Sequence, residues 1–209
     1  MLKKILTGIA VFVLLFIAAL VAIPFLLKDK INARVKEEIN NQLNAKVDYA
    51  DFSLSLIRSF PHFSFGLSDL SVVGVDSFKN DTLLYVKNFN FTVDLMSVIS
   101  GSQYKLIALN IIEPEVNAIV DYTGNTNWDI AKKKSESASS TGSSNFALQI
   151  KKYKIENGNI TYDDRKGNTF AQIHQLNFEG SGDVTSSVYD FITKTNIAEL
   201  TYKSGPVAY

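Results

Sequence analysis

The sequence predicts a mainly β protein held by an N-terminal membrane span, and three observations predict it. Residues Ile5 to Leu27, "ILTGIAVFVLLFIAALVAIPFLL", form an unbroken uncharged and almost wholly apolar run. From Val47 onward the apolar residues recur every second position, the period of a strand with one buried and one wet face. The composition agrees: 14 Phe and 9 Tyr stand against 4 Pro, with Ser, Thr and Asn plentiful.

In chain order, residues 1–4 are a short basic tip and residues 5–27 the span. At about 1.5 Å per residue such a helix covers roughly 30 Å, enough to cross a bilayer core. A cleaved signal peptide is the rival reading, but its apolar region runs to only about 7–15 residues before a small-x-small site. Here the run is longer, and "ALVAIPF" puts Leu20 where a small residue is wanted. Lys3 and Lys4 precede the span while Lys28, Lys30, Arg34 and Lys36 follow it, so flanking charge does not fix its orientation. Residues 28–45 repeat Ile31, Val35, Ile39 and Leu43 at intervals of four, a narrow apolar stripe on a short amphipathic helix. That stripe suits either packing on the following domain or lying on the membrane surface.

Residues 46–131 form the first β-region. "FSLSL" alternates; "FSFGLSDLSVVGV" puts Phe63, Phe65 and Leu67 on one face; "TLLYVKNFNFTVDL" puts Leu83, Tyr85, Phe89, Phe91, Val93 and Leu95 on one face. Turn signals at 76–81, 100–103, 123–127 and 164–168 separate the strands. Alternation with one wet face predicts an antiparallel sheet, and "DLMSVISG" allows at most a turn of helix. Residues 132–145, "KKKSESASSTGSSN", hold no large apolar side chain and are expected to be a flexible loop. Residues 146–209 form the second β-region. A shift of 43 residues superposes Ile112 and Glu113 on Ile155 and Glu156, Asp121 on Asp164, and Gly124-Asn125-Thr126 on Gly167-Asn168-Thr169. A strand-turn-strand repeat and a chance likeness of two hairpins both explain this.

Little in the sequence promises bond chemistry. Basic and acidic residues both number 21, which gives no electrostatic case for nucleic acid. Absent cysteine removes disulfides, thiolate metal sites and cysteine nucleophiles. His62 and His174 are far apart and stand in no metal-ligand spacing. No phosphate loop, nucleophile elbow or His-Glu-x-x-His occurs, so no catalytic residue, cofactor or metal is expected. Asp121, Asn125, Asn127 and Asp129 crowd a turn next to Trp128, the sole tryptophan. They are expected to be turn chemistry rather than a ligand site, with Trp128 a packing plug. The long aromatic faces are either the core beneath a second sheet or, if the sheet stays open, an apolar trough for acyl chains.

The order of span, amphipathic helix and "LSLIRSFPHFSFGLSDLSVVG" resembles the start of AsmA-type proteins. "VDLMSVISGSQYKLIALNIIEPEVNAIVDYTGNTNWDI" is similar to that family's strand, short crossover, Pro-containing strand and closing G-x-x-N-W-D, here Gly124, Asn127, Trp128 and Asp129. "KIENGNITYDD" resembles the next strand pair. The resemblance implies a single-pass protein of the cell inner membrane, with its N-terminus cytoplasmic and its β-region periplasmic. It also implies a role in outer-membrane biogenesis through an open β-groove that carries phospholipid. On this reading the sequence is the N-terminal portion of a longer protein. Phe63, Phe65, Phe89, Phe91, Val93, Leu95, Ile107 and Leu109 are expected to line the groove, membrane phospholipid is the expected partner, and no enzyme activity is expected. A scaffolding β-module of the envelope is the alternative.

Overall fold

A computed structural model describes residues 29–30, 32–55, 62–100, 105–132, 151–182, 191–205 and 207–208. The expected span (5–27) and nearly all of the expected Ser/Lys-rich loop lie outside the described residues. Among those described, no helix is long and apolar enough to cross a membrane.

Helix α1 (32–42) leads into β1 (Lys46–Asp48), β2 (Asp51–Ser55) and β3 (His62–Val73). After a 3-10 turn at Asp76–Phe78 come β4 (Thr82–Asp94), the short helix α2 (Leu95–Ser100) and β5 (Leu106–Val120). Beyond the crossover lie β6 (Lys152–Asp164), β7 (Thr169–Gly182), β8 (Phe191–Asn196), β9 (Glu199–Ser204) and β10 (Val207–Ala208). All ten strands belong to one sheet, in the order β1-β3-β4-β5-β6-β7-β9-β10. β2 also pairs with β3, and β8 with β7. The first and last strands do not meet, so the sheet is open.

The sheet is mixed rather than wholly antiparallel. β5 and β6 run parallel, from Ala108 beside Lys152 to Val120 beside Asp164. Alternation reports which face is buried but not strand direction, so the sequence could not distinguish this pairing. The pairing is one residue out of step with the 43-residue echo, since Ile112 lies beside Glu156 rather than Ile155 and Val120 beside Asp164, so the echo is not a repeat of paired positions. The two similar stretches lie side by side, and Arg165 donates its amide to the Val120 carbonyl at 3.0 Å where their turns meet. A parallel pair needs a long crossover, and residues 121–151 supply it.

Five strands run 12–15 residues, against a usual length of about 5–6. None of them alternates strictly from end to end. Asp69, Glu113, Asn157 and Gln175 have φ of 51°, 50°, 53° and 52°, one in each of β3, β5, β6 and β7. The register carries Asp69, Lys87 of β4, Glu113 and Asn157 onto one line across the sheet, and Gln175 follows just past it, beyond the Gly158–Leu176 pair. The gap between β1 and β2 at Tyr49–Ala50 and the gap between β8 and β9 at Ile197–Ala198 fall on the same line. At such a left-handed residue the strand kinks and its side-chain alternation slips by one; the register keeps step across the line from β3 to β6 and shifts, as at a bulge, only between β6 and β7. Each kink therefore lets an apolar side chain three positions on, rather than two, return to the same face: Leu67 and Leu70, Val86 and Phe89, Ile111 and Pro114, Ile155 and Gly158, Ile173 and Leu176. This corrects the face expected for β4. Val86, only 1% exposed, shares the side of Phe89. Tyr85 lies opposite Ser71 and Glu115 and donates its hydroxyl to Asp69.

The closed part of the core sits at the β1–β4 side of the sheet. Ala45, Val47, Tyr49, Phe52, Leu67, Leu70, Val72 and Val86 are buried there, with Ile39 and Leu43 of α1 packed on them. Helix α1 thus takes the packing role that its stripe allowed. Polar contacts fix it in place: Asn40 Nδ2 donates to the Val47 carbonyl at 3.0 Å, Val47 N donates to Asn40 Oδ1 at 2.9 Å, and Tyr49 donates its hydroxyl to Asn32. At the other end of β4, Asp94 caps α2 by accepting the Ser97 amide at 2.8 Å.

Candidate functional site

On the apolar face the side chains form rows that cross the strands. Reading neighbours from the register, one row is Leu54, Phe65, Phe91, Leu109, Tyr153 and Gly180, and the next is Phe52, Leu67, Phe89, Ile111, Ile155 and Phe178. Beyond the line of kinks come Leu70, Val86, Pro114, Gly158 and Leu176, then Val72, Leu84, Val116, Ile160, Ile173 and Leu200. Because each strand advances the sheet by about 4.8 Å, these rows make an apolar strip perpendicular to the strands. Phe65 and Phe91 stack with ring centroids 4.9 Å apart, and Phe52, Phe63 and Phe89 tilt around them at 6.1–6.3 Å.

Along this line of kinks the strip is hollow. A furrow of about 140 Å³ is lined by Leu84, Val86, Phe89, Ile111, Pro114, Val116, Ile155, Gly158, Ile160 and Leu176, without one polar side chain. Gly158 is the low point of its floor: a Cβ there would press on Pro114 Cγ at 3.1 Å and Ile155 Cγ2 at 3.2 Å. At one end the furrow runs into the closed core, since Val86 belongs to both. Toward β8 the apolar face gives way to Thr193 and Thr195, which lie opposite Gly180 and Phe178.

The opposite face differs in kind. Across β2, β3 and β4 it carries Ser53, Ser55, Ser64, Ser68, Asn88, Asn90 and Thr92, with Ser64 and Thr92 hydroxyls 2.9 Å apart. Farther along, Lys154 bridges Glu156 at 3.3 Å and Glu179 at 3.5 Å, and hydrogen bonding to Glu156 raises its pKa. A larger recess, about 630 Å³, opens on this side between Ala108, Asn110, Lys152, Lys154, Glu179, Ser181, Ile192 and Lys194. Leu109, Tyr153 and Gly180 of the apolar rows also border it, but Lys152, Lys154, Glu179 and Lys194 crowd it with charge, so the wholly apolar furrow is the better candidate for hydrocarbon despite its smaller size.

Six of the eight residues expected to line a groove share the apolar face: Phe63, Phe65, Phe89, Phe91, Val93 and Leu109. Val93 is buried and the other five are half-buried. Leu95 has left the sheet as the first residue of α2. Ile107 is the extra residue of a register shift, and Leu106 takes the place opposite Val93. Sequence reasoning missed the β6 and β7 contribution, from Tyr153, Ile155, Gly158, Leu176 and Phe178. The signal was present as apolar-x-x-apolar spacing inside otherwise alternating strands.

The polar turn after β5 is self-contained. Asp121 Oδ1 accepts from Thr123 N, Thr123 Oγ1, Gly124 N and Asn125 N at 2.6–2.9 Å, and Oδ2 accepts Asn125 Nδ2 at 2.9 Å. The Thr123 hydroxyl, then the Asn125 side chain and the backbone amides, hold its carboxyl well below the ordinary range. Oδ1 is saturated in this way and Oδ2 is turned to Asn125, so the carboxylate is spent on closing the turn. Among the described residues no group of three His, Cys, Asp or Glu could hold a metal. Trp128 is not the plug that its size led one to expect. It is 42% exposed and leans on Tyr162 at 6.1 Å, whereas Asn127 is 3% exposed. Asn127 Oδ1 accepts the Ile119 amide at 2.9 Å, and its Nδ2 donates to the Asn117 carbonyl at 2.7 Å. From this turn the chain crosses to α1, where Asn44 N donates to the Ile130 carbonyl and Ala131 bridges Leu43.

The site is thus an open apolar strip with a furrow along its bend, backed by a polar face and closed at one end by α1. Among curated proteins no match is found. The AsmA family model matches residues 1–195, nearly the whole sequence, and the chain belongs to the AsmA family.

Proposed function

We propose that this protein guides phospholipid along the apolar strip of its open sheet, as the membrane-anchored part of an envelope system that maintains the outer membrane. AsmA family membership associates the chain with envelope biogenesis, and the continuity of the apolar rows across β3 to β7 is the observation that carries the finer reading. Acyl chains lie along the rows while head groups stay at the wet opening. The driving force is the cost of exposing hydrocarbon, about 0.8 kcal/mol per methylene. A chain moving along the strip exchanges one set of apolar contacts for an equivalent set on the next strand, so no catalytic residue is needed. Residues 5–27 would anchor the protein in the inner membrane, with the sheet in the periplasm.

The scaffolding alternative draws support from the closed core under α1, which needs no ligand to be stable. Mass spectrometry of lipid extracted from the detergent-purified chain separates the two. The transport reading expects phospholipid at near-stoichiometric amounts. A chain that purifies without lipid sinks it and leaves the scaffold.

A further inference from the structure

Gly180 is the one place where an apolar row meets no side chain on β7. It lies directly opposite Tyr153 of β6. A Cβ on Gly180 would fall inside the Tyr153 ring, whose Cζ, Cε2 and hydroxyl oxygen all lie over the glycine. The ring therefore rests flat across β7 instead of rising from the sheet. Phe178 holds one side of it, with centroids 5.3 Å apart, and Phe191 flanks it at 6.5 Å. Tyr153 precedes Ile155 of the furrow on the same face. A raised tyrosine would stand over the strip between the furrow and its edge.

We propose that Gly180 and Tyr153 together set the bore of the lipid path at β6–β7. The missing side chain on β7 keeps the ring down, and the flat ring forms the floor over which a linear hydrocarbon chain passes. This rests on the transport reading and deepens it by naming the constriction. The glycine has no conformational reason to be there, since its φ is not positive. Its reason is the space that the ring occupies. The hydroxyl of Tyr153 is carried over to β7, next to the Thr193 position. Hydrocarbon-only wall thus ends at this pair.

The test uses the full chain, purified in detergent, with bound phospholipid quantified by mass spectrometry and folding checked by circular dichroism and melting. In Gly180→Ala the ring is forced up, and bound lipid falls about tenfold. Gly180→Ala/Tyr153→Ala removes the obstruction and restores the parental amount. Tyr153→Trp leaves β7 untouched but places a larger ring over the glycine, and it also loses lipid, which keeps the test open if Gly180→Ala does not fold. Parental loading in a folded Gly180→Ala or in Tyr153→Trp overturns the assignment, as does a folded double variant that stays empty. A parental chain without lipid overturns the transport reading itself, a result distinct from equal loading of parent and variants.

Discussion

Asn127 and Asp121 share one turn and hold it by different means. Asn127 is buried, and its amide replaces two strand partners that β5 lacks at its end. Asn127→Ala leaves the Ile119 amide and the Asn117 carbonyl without those partners, and each buried unsatisfied group costs about 1–3 kcal/mol. The melting temperature is expected to fall by several degrees, while Trp128→Ala, which removes a half-exposed ring, costs less. Equal losses would show that the tryptophan is the anchor. Asp121 is exposed, and its effect is on pH response. Its folded pKa lies below the ordinary 3.8 because of the Thr123 hydroxyl and the amides around it. A depressed carboxyl contributes stability above its unfolded pKa and loses it as pH falls through the folded value. The turn is therefore expected to persist at pH 4 and to open only in stronger acid. Following the Asp121 carboxyl carbon by NMR checks this, and a midpoint at or above 3.8 contradicts it.

Strands β3, β5, β6 and β7 owe their bend to single residues in the left-handed region, a conformation that costs a non-glycine residue about 1–2 kcal/mol. At Gln175, whose φ is 52°, glycine relieves that cost and a β-branched residue raises it. Gln175→Gly is expected to melt at or above the parental temperature, and Gln175→Val to lose about 1–3 kcal/mol. Equal stability of the two would mean that the bend is not set locally. These positions also mark where the sequence was hard to read. Alternation was legible in each half-strand, and it placed Phe63, Phe65, Phe89, Phe91 and Val93 together. A kink at a left-handed residue shifts the phase by one, and a rule of period two then assigns the far half to the wrong side. Asp69, Glu113, Asn157 and Gln175 carry no shared residue type to announce the shift; only the apolar spacing of three does. Strand direction was illegible for another reason. The β5–β6 pairing is decided by a crossover through residues 121–151, whose path leaves no mark in strand composition. The echo of Asp121 at Asp164 did not announce it either, since Asp164 pairs with Val120.

At the scale of the molecule the sheet is two surfaces on one backbone, and function assigns them different tasks. Leu109 and Ala108 are consecutive on β5, both half-buried, one on the apolar strip and one on the polar face. Substituting glutamine at each changes polarity by a similar amount on opposite sides of the same strand. If lipid travels along the strip, Leu109→Gln places an amide in its path, and desolvating that amide without a partner costs about 1–3 kcal/mol. Bound phospholipid is then expected to fall about fivefold or more. Ala108→Gln meets water and should leave the lipid content unchanged. The comparison is internal to one strand, so damage to the fold in general lowers both and is visible in their melting curves. Folded variants that lose lipid equally, or lose it only at Ala108, would show that the strip is ordinary core and that the lipid is carried elsewhere. Loss at Leu109 alone assigns transport to the apolar side. The polar ladder of Ser53, Ser64, Asn90 and Thr92 then serves as the wet back that keeps an open sheet from pairing its faces.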